Sequence, residues 1–266
     1  MDPLRFQSLP WSPHVDGTII VGQPLNGYAK DMPRKPVAFG VNRDEGVLFA
    51  VLFNDAVPIT AKIYDAVLNL LFKDQKDQIL ALDRYNPAKT PSIEGLNPAL
   101  TAFANLMTDY AFTCGNIAIA DKLLDDKKSK PIYGYYFTQK PFFDLFASVD
   151  HQTCSPGAAN VCHAFELPYV FNLLDELKYI NPSYVPTQAD VTLTGLMATA
   201  WYDFAVDPTV QSADWIQYTS AASGSEKVWG SYGVLGSQQI NLAETAQCNA
   251  IWLKTWPFRP GDTAKQ

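Results

Sequence analysis

Apolar positions along the chain recur with two spacings, and the change of spacing marks its elements. Residues 60–83 set Ile63, Val67, Leu70 and Leu71 on one face, followed by Ile79 and Leu82, which predicts a helix. Residues 98–124 repeat the pattern through Leu100, Phe103, Leu106, Met107 and Tyr110, with Asn97 placed as N-cap. Val191, Leu193, Leu196, Met197, Ala200, Trp201 and Phe204 predict the strongest amphipathic helix, over 188–206. A short helix carrying Cys248 is expected near Leu242–Leu253. The remaining apolar runs are short and bounded by turn residues. Pro36–Val41 reads as a buried strand, and Pro131–Thr138, aromatic and β-branched, as the clearest one. Asp16-Gly17 reads as a tight turn into a short strand, Thr18–Val21. Asn42–Gly46 ends the first buried strand and an apolar segment, Val47–Phe53, follows. Five prolines between Pro10 and Pro36 make the start loop-like. Residues 125–130 form a solvated turn, 139–162 a loop, and Trp215 and Tyr218 fall in a turn-rich segment. Strands alternating with helices over long spacings point to α/β, not a sandwich.

Composition narrows the function classes. The 266 residues allow one large domain or two small ones, and 47% apolar with 13% aromatic residues supply a full core. Twenty Lys+Arg against 27 Asp+Glu give a net charge of −7. That balance argues against a non-specific nucleic-acid binder and against a polybasic membrane patch. No apolar run approaches the roughly 18 residues of a spanning helix, so no membrane span is expected. Met1-Asp-Pro-Leu-Arg-Phe has no cationic segment leading into an apolar one, so no signal peptide is expected on this chain. Four cysteines, an even number, favour an oxidising compartment, in tension with that missing signal.

Two residues stand out as chemistry. His163 follows a predicted strand and a long loop. It is either a loop histidine or a general base, a task its ordinary pKa near 6.5 suits. A base of that kind needs a carboxylate to fix its tautomer. Glu45 lies just past the strand Val37–Val41, where sites form in α/β sheets; it is that carboxylate or a turn residue.

Taken together, the motifs resemble the type-B carboxylesterases, the family of cholinesterases and bacterial para-nitrobenzyl esterases. The resemblance starts at Pro13-His-Val-Asp-Gly17, similar to the family's Pro-x-x-Asp-Gly turn. Gly40-Val-Asn-Arg-Asp-Glu-Gly46 resembles the acid motif, with the acid at Glu45, and Cys162-His-Ala-Phe-Glu-Leu-Pro-Tyr-Val-Phe171 the histidine motif, with the base at His163. Phe112-Thr-Cys114, Trp201-x-x-Phe204 and Trp215 extend it over nearly the whole chain.

The departures define what is missing. The family, like other α/β-hydrolases, runs serine, acid, histidine, with the serine on a Gly-x-Ser-x-Gly elbow. No such elbow occurs, and there is no room for one ahead of Glu45. Trp229-Gly-Ser-Tyr-Gly233 comes close, but its first glycine is displaced and it follows the histidine; Ser231 and Ser225 read as loop serines. The glycine-rich oxyanion loop is absent too. The resemblance therefore implies a single partial domain over 1–266, the C-terminal half of an α/β-hydrolase fold: a mixed sheet flanked by helices, incomplete without the N-terminal half. It implies carboxylic ester hydrolysis by a serine supplied from that half, an ester substrate, and no metal or organic cofactor. The isolated chain is expected to be inactive and partner-dependent. The alternative is a non-catalytic interaction module or an inactive remnant of the same fold.

The resemblance also suggests that Cys114 pairs with Cys248, leaving Cys154 and Cys162 to form a second, local bridge just before His163. The complete protein would then be secreted or periplasmic. A rival reading makes His151, Cys154, Cys162 and His163 zinc ligands, although the spacing is unlike a zinc finger and adjacent ligands crowd one tetrahedron. Glu166 is expected to orient backbone or pair with an arginine. His14 reads as a turn residue. Phe142, Phe143 and Phe146 either line an acyl or entry pocket, as in the family, or pack in the core.

Overall fold

Val37–Asn42 (β1) and Ile132–Phe137 (β2), the two apolar runs read as strands, pair in parallel from Val37 opposite Ile132 to Asn42 opposite Phe137. The computed structural model describes residues 15–20, 34–124, 130–140, 142–145, 152–209, 215, 217–219, 228–233 and 236–255. Among them the sheet has four strands in the order β1-β2-β3-β4, with β3 Val228–Gly233 and β4 Gly236–Asn241. β3 runs parallel to β2, and β4 antiparallel to β3. This is a mixed sheet with helices in both long connections, the expected class. β2 is buried along its whole length, as a central strand with parallel neighbours should be. β1 is the other end of the sheet as described.

The first connection opens with α1, Glu45–Ala56. It packs across α4, Pro98–Met107, at a point where Gly46 is needed. A Cβ on Gly46 would lie 2.3 Å from the Ala104 carbonyl oxygen and 2.6 Å from the Thr108 nitrogen. At that crossing the Gly46 N–H donates to Thr108 Oγ1 (2.8 Å). The helix expected over 60–83 is broken. α2, Ala61–Leu71, starts at its N-cap Thr60, and a 3₁₀ turn separates it from α3, Lys76–Ala81. Phe72 causes the break: it leaves helical geometry and buries its ring 5.1 Å from Tyr110 and 5.5 Å from Trp252. The buried face of α2 is Tyr64 and Leu68, flanked by Ile63 and Val67, while Leu70 faces outward.

The helical stretch over 98–124 is continuous but changes winding. α4 begins at Asn97, whose side chain accepts from the Leu100 N–H (3.0 Å). A π-helical segment, Thr108–Thr113, leads into α5, Cys114–Leu124. That widened turn carries the buried Asp109, which takes two hydrogen bonds from Arg84 and one from the Tyr85 hydroxyl (2.9 Å). Tyr85 in turn accepts from the Trp252 indole (2.8 Å), so a fully partnered polar cluster pins the C-terminal segment. Beside it Cys114 is bonded to Cys248, with Cα atoms 5.4 Å apart.

The second connection carries α6, Leu167–Val170, and α7, Gln188–Val206. α7 has the expected bounds and opens with a reciprocal capping box between Thr187 and Asp190. It is not the amphipathic helix expected: Leu193, Met197 and Ala200 are buried, but Val191, Leu196 and Tyr202 face outward, apolar on both sides. Trp215 seals its inner face, donating its indole N–H to the Ala200 carbonyl (2.7 Å) among Tyr133, Trp201 and Phe204.

Three smaller expectations change. Residues 17–20 form bends, not a strand, because Asp16 gathers the N–H groups of Thr18, Ile19 and Ile20 onto one carboxylate oxygen. Ser231 is not a loop serine: it lies within β3, opposite Gln238. The C-terminal helix is broken into α8, Leu242–Thr245, a π-helical turn Cys248–Trp252, and α9, Leu253–Thr255. His14, His151, Phe146 and Ser225 lie outside the described residues. Among those described, no single helix is long and apolar enough to cross a membrane.

Candidate active site

The C-terminal ends of β1 and β2 bring two distant loops together. β1 ends at Asn42, and the turn Arg43-Asp44 feeds α1, whose first residue is Glu45. The Arg43 N–H donates to the Phe137 carbonyl at the end of β2 (3.0 Å). The loop before α6 lies alongside this turn. The Asp44 N–H donates to the Val161 carbonyl (3.0 Å), and the Val161 N–H returns a bond to Asp44 Oδ2 (2.8 Å). The Arg43 guanidinium donates to the Ala159 carbonyl and pairs with Asp44 at 2.7 Å. Asp44 is spent on this stitching, not on capping α1.

Glu45 and His163 meet in the space so framed. His163 Nδ1 lies 2.6 Å from Glu45 Oε2. A carboxylate has no proton to give, so Nδ1 carries the hydrogen and Nε2 is left with its lone pair. The other oxygen, Oε1, accepts the Asn42 backbone N–H (2.7 Å). The Glu45 side chain is 7% exposed and the imidazole 41%; the acid is walled in while the base stays reachable. Phe49 and Phe112 pack against the imidazole with ring centres 5.1 and 5.4 Å away. The bond to Glu45 raises the pKa of His163 above its ordinary 6.5, burial pulling the other way.

The backbone around His163 is specialised. Ala164 adopts φ 69°, a left-handed conformation an alanine adopts only when its surroundings impose it. Cys162 is bonded to Cys154, with Cα atoms 5.9 Å apart. That bridge removes two thiolates from the rival zinc reading. Phe143 is a core residue, packed on Phe165, Tyr169 and Tyr184, whereas Phe142 faces outward. Glu166 pairs with no arginine in the bonds described; the Asn42 amide donates to its Oε2 (2.6 Å) and the Tyr135 hydroxyl is hydrogen-bonded to it. Burial raises its pKa. Asn42 is the residue that the motifs contained but the sequence did not single out. Its one legible signal is an amide closing an apolar strand.

The pair sits in a chain with known likenesses. A sequence model of the carboxylesterase family matches residues 3–245. The "crystal protein" of Dictyostelium discoideum is 31% identical over 166 residues, which cover 61% of this chain and 27% of that protein. Among solved structures, a thermophilic PNB esterase superposes with a TM-score of 0.55 at 22% identity, over 81% of this chain and 38% of its own. A second PNB esterase gives 0.53 at 22% identity, over 80% and 37%. These structures share the α/β-hydrolase fold, and this chain spans well under half of their length.

Proposed function

This chain belongs to the carboxylesterase family, and from that premise we propose that it is the C-terminal part of a serine hydrolase of carboxylic esters. Residues 1–266 form a single partial domain, and the N-terminal part of the fold completes it. The observation that carries the reading is the 2.6 Å contact between His163 Nδ1 and the buried Glu45 carboxylate. That contact leaves Nε2 on a half-exposed ring free to take a proton.

In the complete protein a serine from the N-terminal part attacks the ester carbonyl while His163 Nε2 takes its proton. Glu45 stabilises the imidazolium without itself accepting the proton. The tetrahedral intermediate collapses, His163 protonates the departing alkoxide, and the alcohol leaves an acyl-serine. Water, deprotonated by the same nitrogen, then releases the carboxylic acid and restores the serine. The two disulfides support secretion or a periplasmic location. Leu167, Phe171, Val191, Leu196 and Tyr202 stand exposed along α6 and α7, apolar side chains available for the N-terminal part to cover.

Fluorophosphonate labelling of the complete protein tests the proposal. Labelling of the N-terminal part that disappears in His163→Ala supports it. Stable binding of this chain to a protein partner with no labelling would replace it with a non-catalytic module.

A further inference from the structure

We propose that Asn42 is the positioning residue of the Glu45–His163 pair, and that Glu166 holds the Asn42 amide in the orientation this requires. The inference rests on the acid–base reading of that pair.

Asn42 is 1% exposed and grips three groups at once. Its backbone N–H fixes Glu45 Oε1 at 2.7 Å, which turns Oε2 toward the imidazole. Its side-chain Nδ2 donates to the Cys162 carbonyl at 2.9 Å, the peptide that enters His163. The same nitrogen donates to Glu166 Oε2 at 2.6 Å. Acid, base and a second carboxylate are thereby referred to the last residue of one strand. Asp44 and Arg43 hold the histidine loop at Val161 and Ala159, and the bridge to Cys154 holds the Cys162 side chain. Asn42 holds the carbonyl that joins Cys162 to His163.

The orientation of the amide follows from chemistry. Both of its N–H groups face acceptors. Rotating it by half a turn would set Oδ1 against a carbonyl and a carboxylate, neither of which has a proton to offer. Among the described residues Oδ1 itself is buried without a partner. An orphaned buried carbonyl weakens a fold, and an apolar residue closing β1 would avoid it. Keeping an amide here makes sense if its two donors are needed. Glu166 supplies the second acceptor, and the Tyr135 hydroxyl of β2 is hydrogen-bonded to it. Tyr135 lies flat over Gly40, where a Cβ would come within 2.4 Å of the ring, so Glu166 is anchored to the sheet. Among the described residues the charged groups acting on His163 are Glu45 and Glu166; Phe49 and Phe112 supply uncharged walls.

The test reads the imidazole directly. The complete protein, this chain together with the N-terminal part, is labelled with nitrogen-15 histidine, and His163→Gln identifies the imidazole in question. The wild-type protein is expected to show a far-downfield Nδ1–H proton and a titration midpoint above 6.5. Asn42→Ala, which keeps the backbone N–H, is expected to lose that proton signal and to drop the midpoint to the ordinary value. Glu166→Gln still offers Asn42 an acceptor, so it keeps the signal and lowers the midpoint only through the lost charge. Glu166→Ala behaves like Asn42→Ala. Thr60→Ala, which loses the N-cap of α2, leaves both readouts unmoved. Asn42→Ala folded with wild-type signal and midpoint would overturn the inference; should that variant not fold, a wild-type signal in Glu166→Ala overturns it equally. An absent signal in the complete wild-type protein would instead strike the acid–base pairing. Loss of fluorophosphonate labelling with the signal intact would strike the esterase reading alone.

Discussion

Asp44 and Val161, 117 positions apart, exchange two hydrogen bonds, one through the aspartate's backbone and one through its side chain. The exchange behaves like one rung of a sheet between loops that have no strand to share. It fixes the spacing of the turn that bears Glu45 against the loop that bears His163, so the geometry of the pair depends on atoms outside it.

The proposed mechanism makes activity depend steeply on the pair. In the complete protein His163→Ala is expected to lower kcat by on the order of a millionfold and Glu45→Gln by on the order of ten-thousand-fold. Asp44→Ala is expected to lower it less, by displacement alone. Turnover of a chromogenic ester, with binding of this chain to the N-terminal part as control, measures all three.

Acidity should affect stability in a definite direction. The folded pKa of His163 is raised, so the contact with Glu45 contributes fully below the unfolded value of about 6.5 and is lost as pH rises through the folded value. The gap in urea midpoint between wild type and Glu45→Gln is therefore expected to be wider near about pH 6 than near about pH 9. An equal gap at both would refute the coupling. Under the proposed mechanism activity should run the other way, since a general base acts only when neutral, and the alkaline rise of kcat/KM should track the same raised pKa.

The bridges should differ in weight. Cys114–Cys248 spans 134 positions and Cys154–Cys162 only 8. Loop-closure entropy assigns about 5 kcal/mol to the first and about 2.5 kcal/mol to the second. Paired serine replacements followed by chemical denaturation are expected to rank in that order. The shorter bridge should matter more for the His163 signal than for the melting point.

Gly46→Ala is expected to destabilise by on the order of 1–3 kcal/mol, because its methyl would sit 2.3 Å from the Ala104 carbonyl at the α1–α4 crossing. Gly157→Ala, with open space around the new atom, is the matched control and should be near neutral.

Sequence carried some of this plainly and some not at all. β1, β2 and α4 are legible because a bounded apolar run, or a helical pattern behind an N-cap such as Asn97, is local information. α1 was not: Val47–Phe53 is apolar throughout, so no face is distinguished until α4 supplies one. β3 and β4 were missed because VWGSYG and GSQQIN are rich in glycine, serine and glutamine, and their strand state comes from pairing with β2 and each other. The break at Phe72 was hidden for the same reason, since its ring answers to Trp252, far along the chain. In the site, Glu45 and His163 stand in motifs that resemble a family, whereas the Asn42 amide owes its meaning to acceptors 120 and 124 positions away.

The bridge from Cys114 to Cys248 has one more consequence, for the chain as a covalent object. It makes a ring of the residues between them, with His163, β2 and α7 inside and Glu45 on the tail outside. A protease that cuts once at the exposed Asn181–Ser183 turn would release nothing. The nicked protein would run as one band without reductant and as two with it, and Glu45 and His163 would still share a single piece.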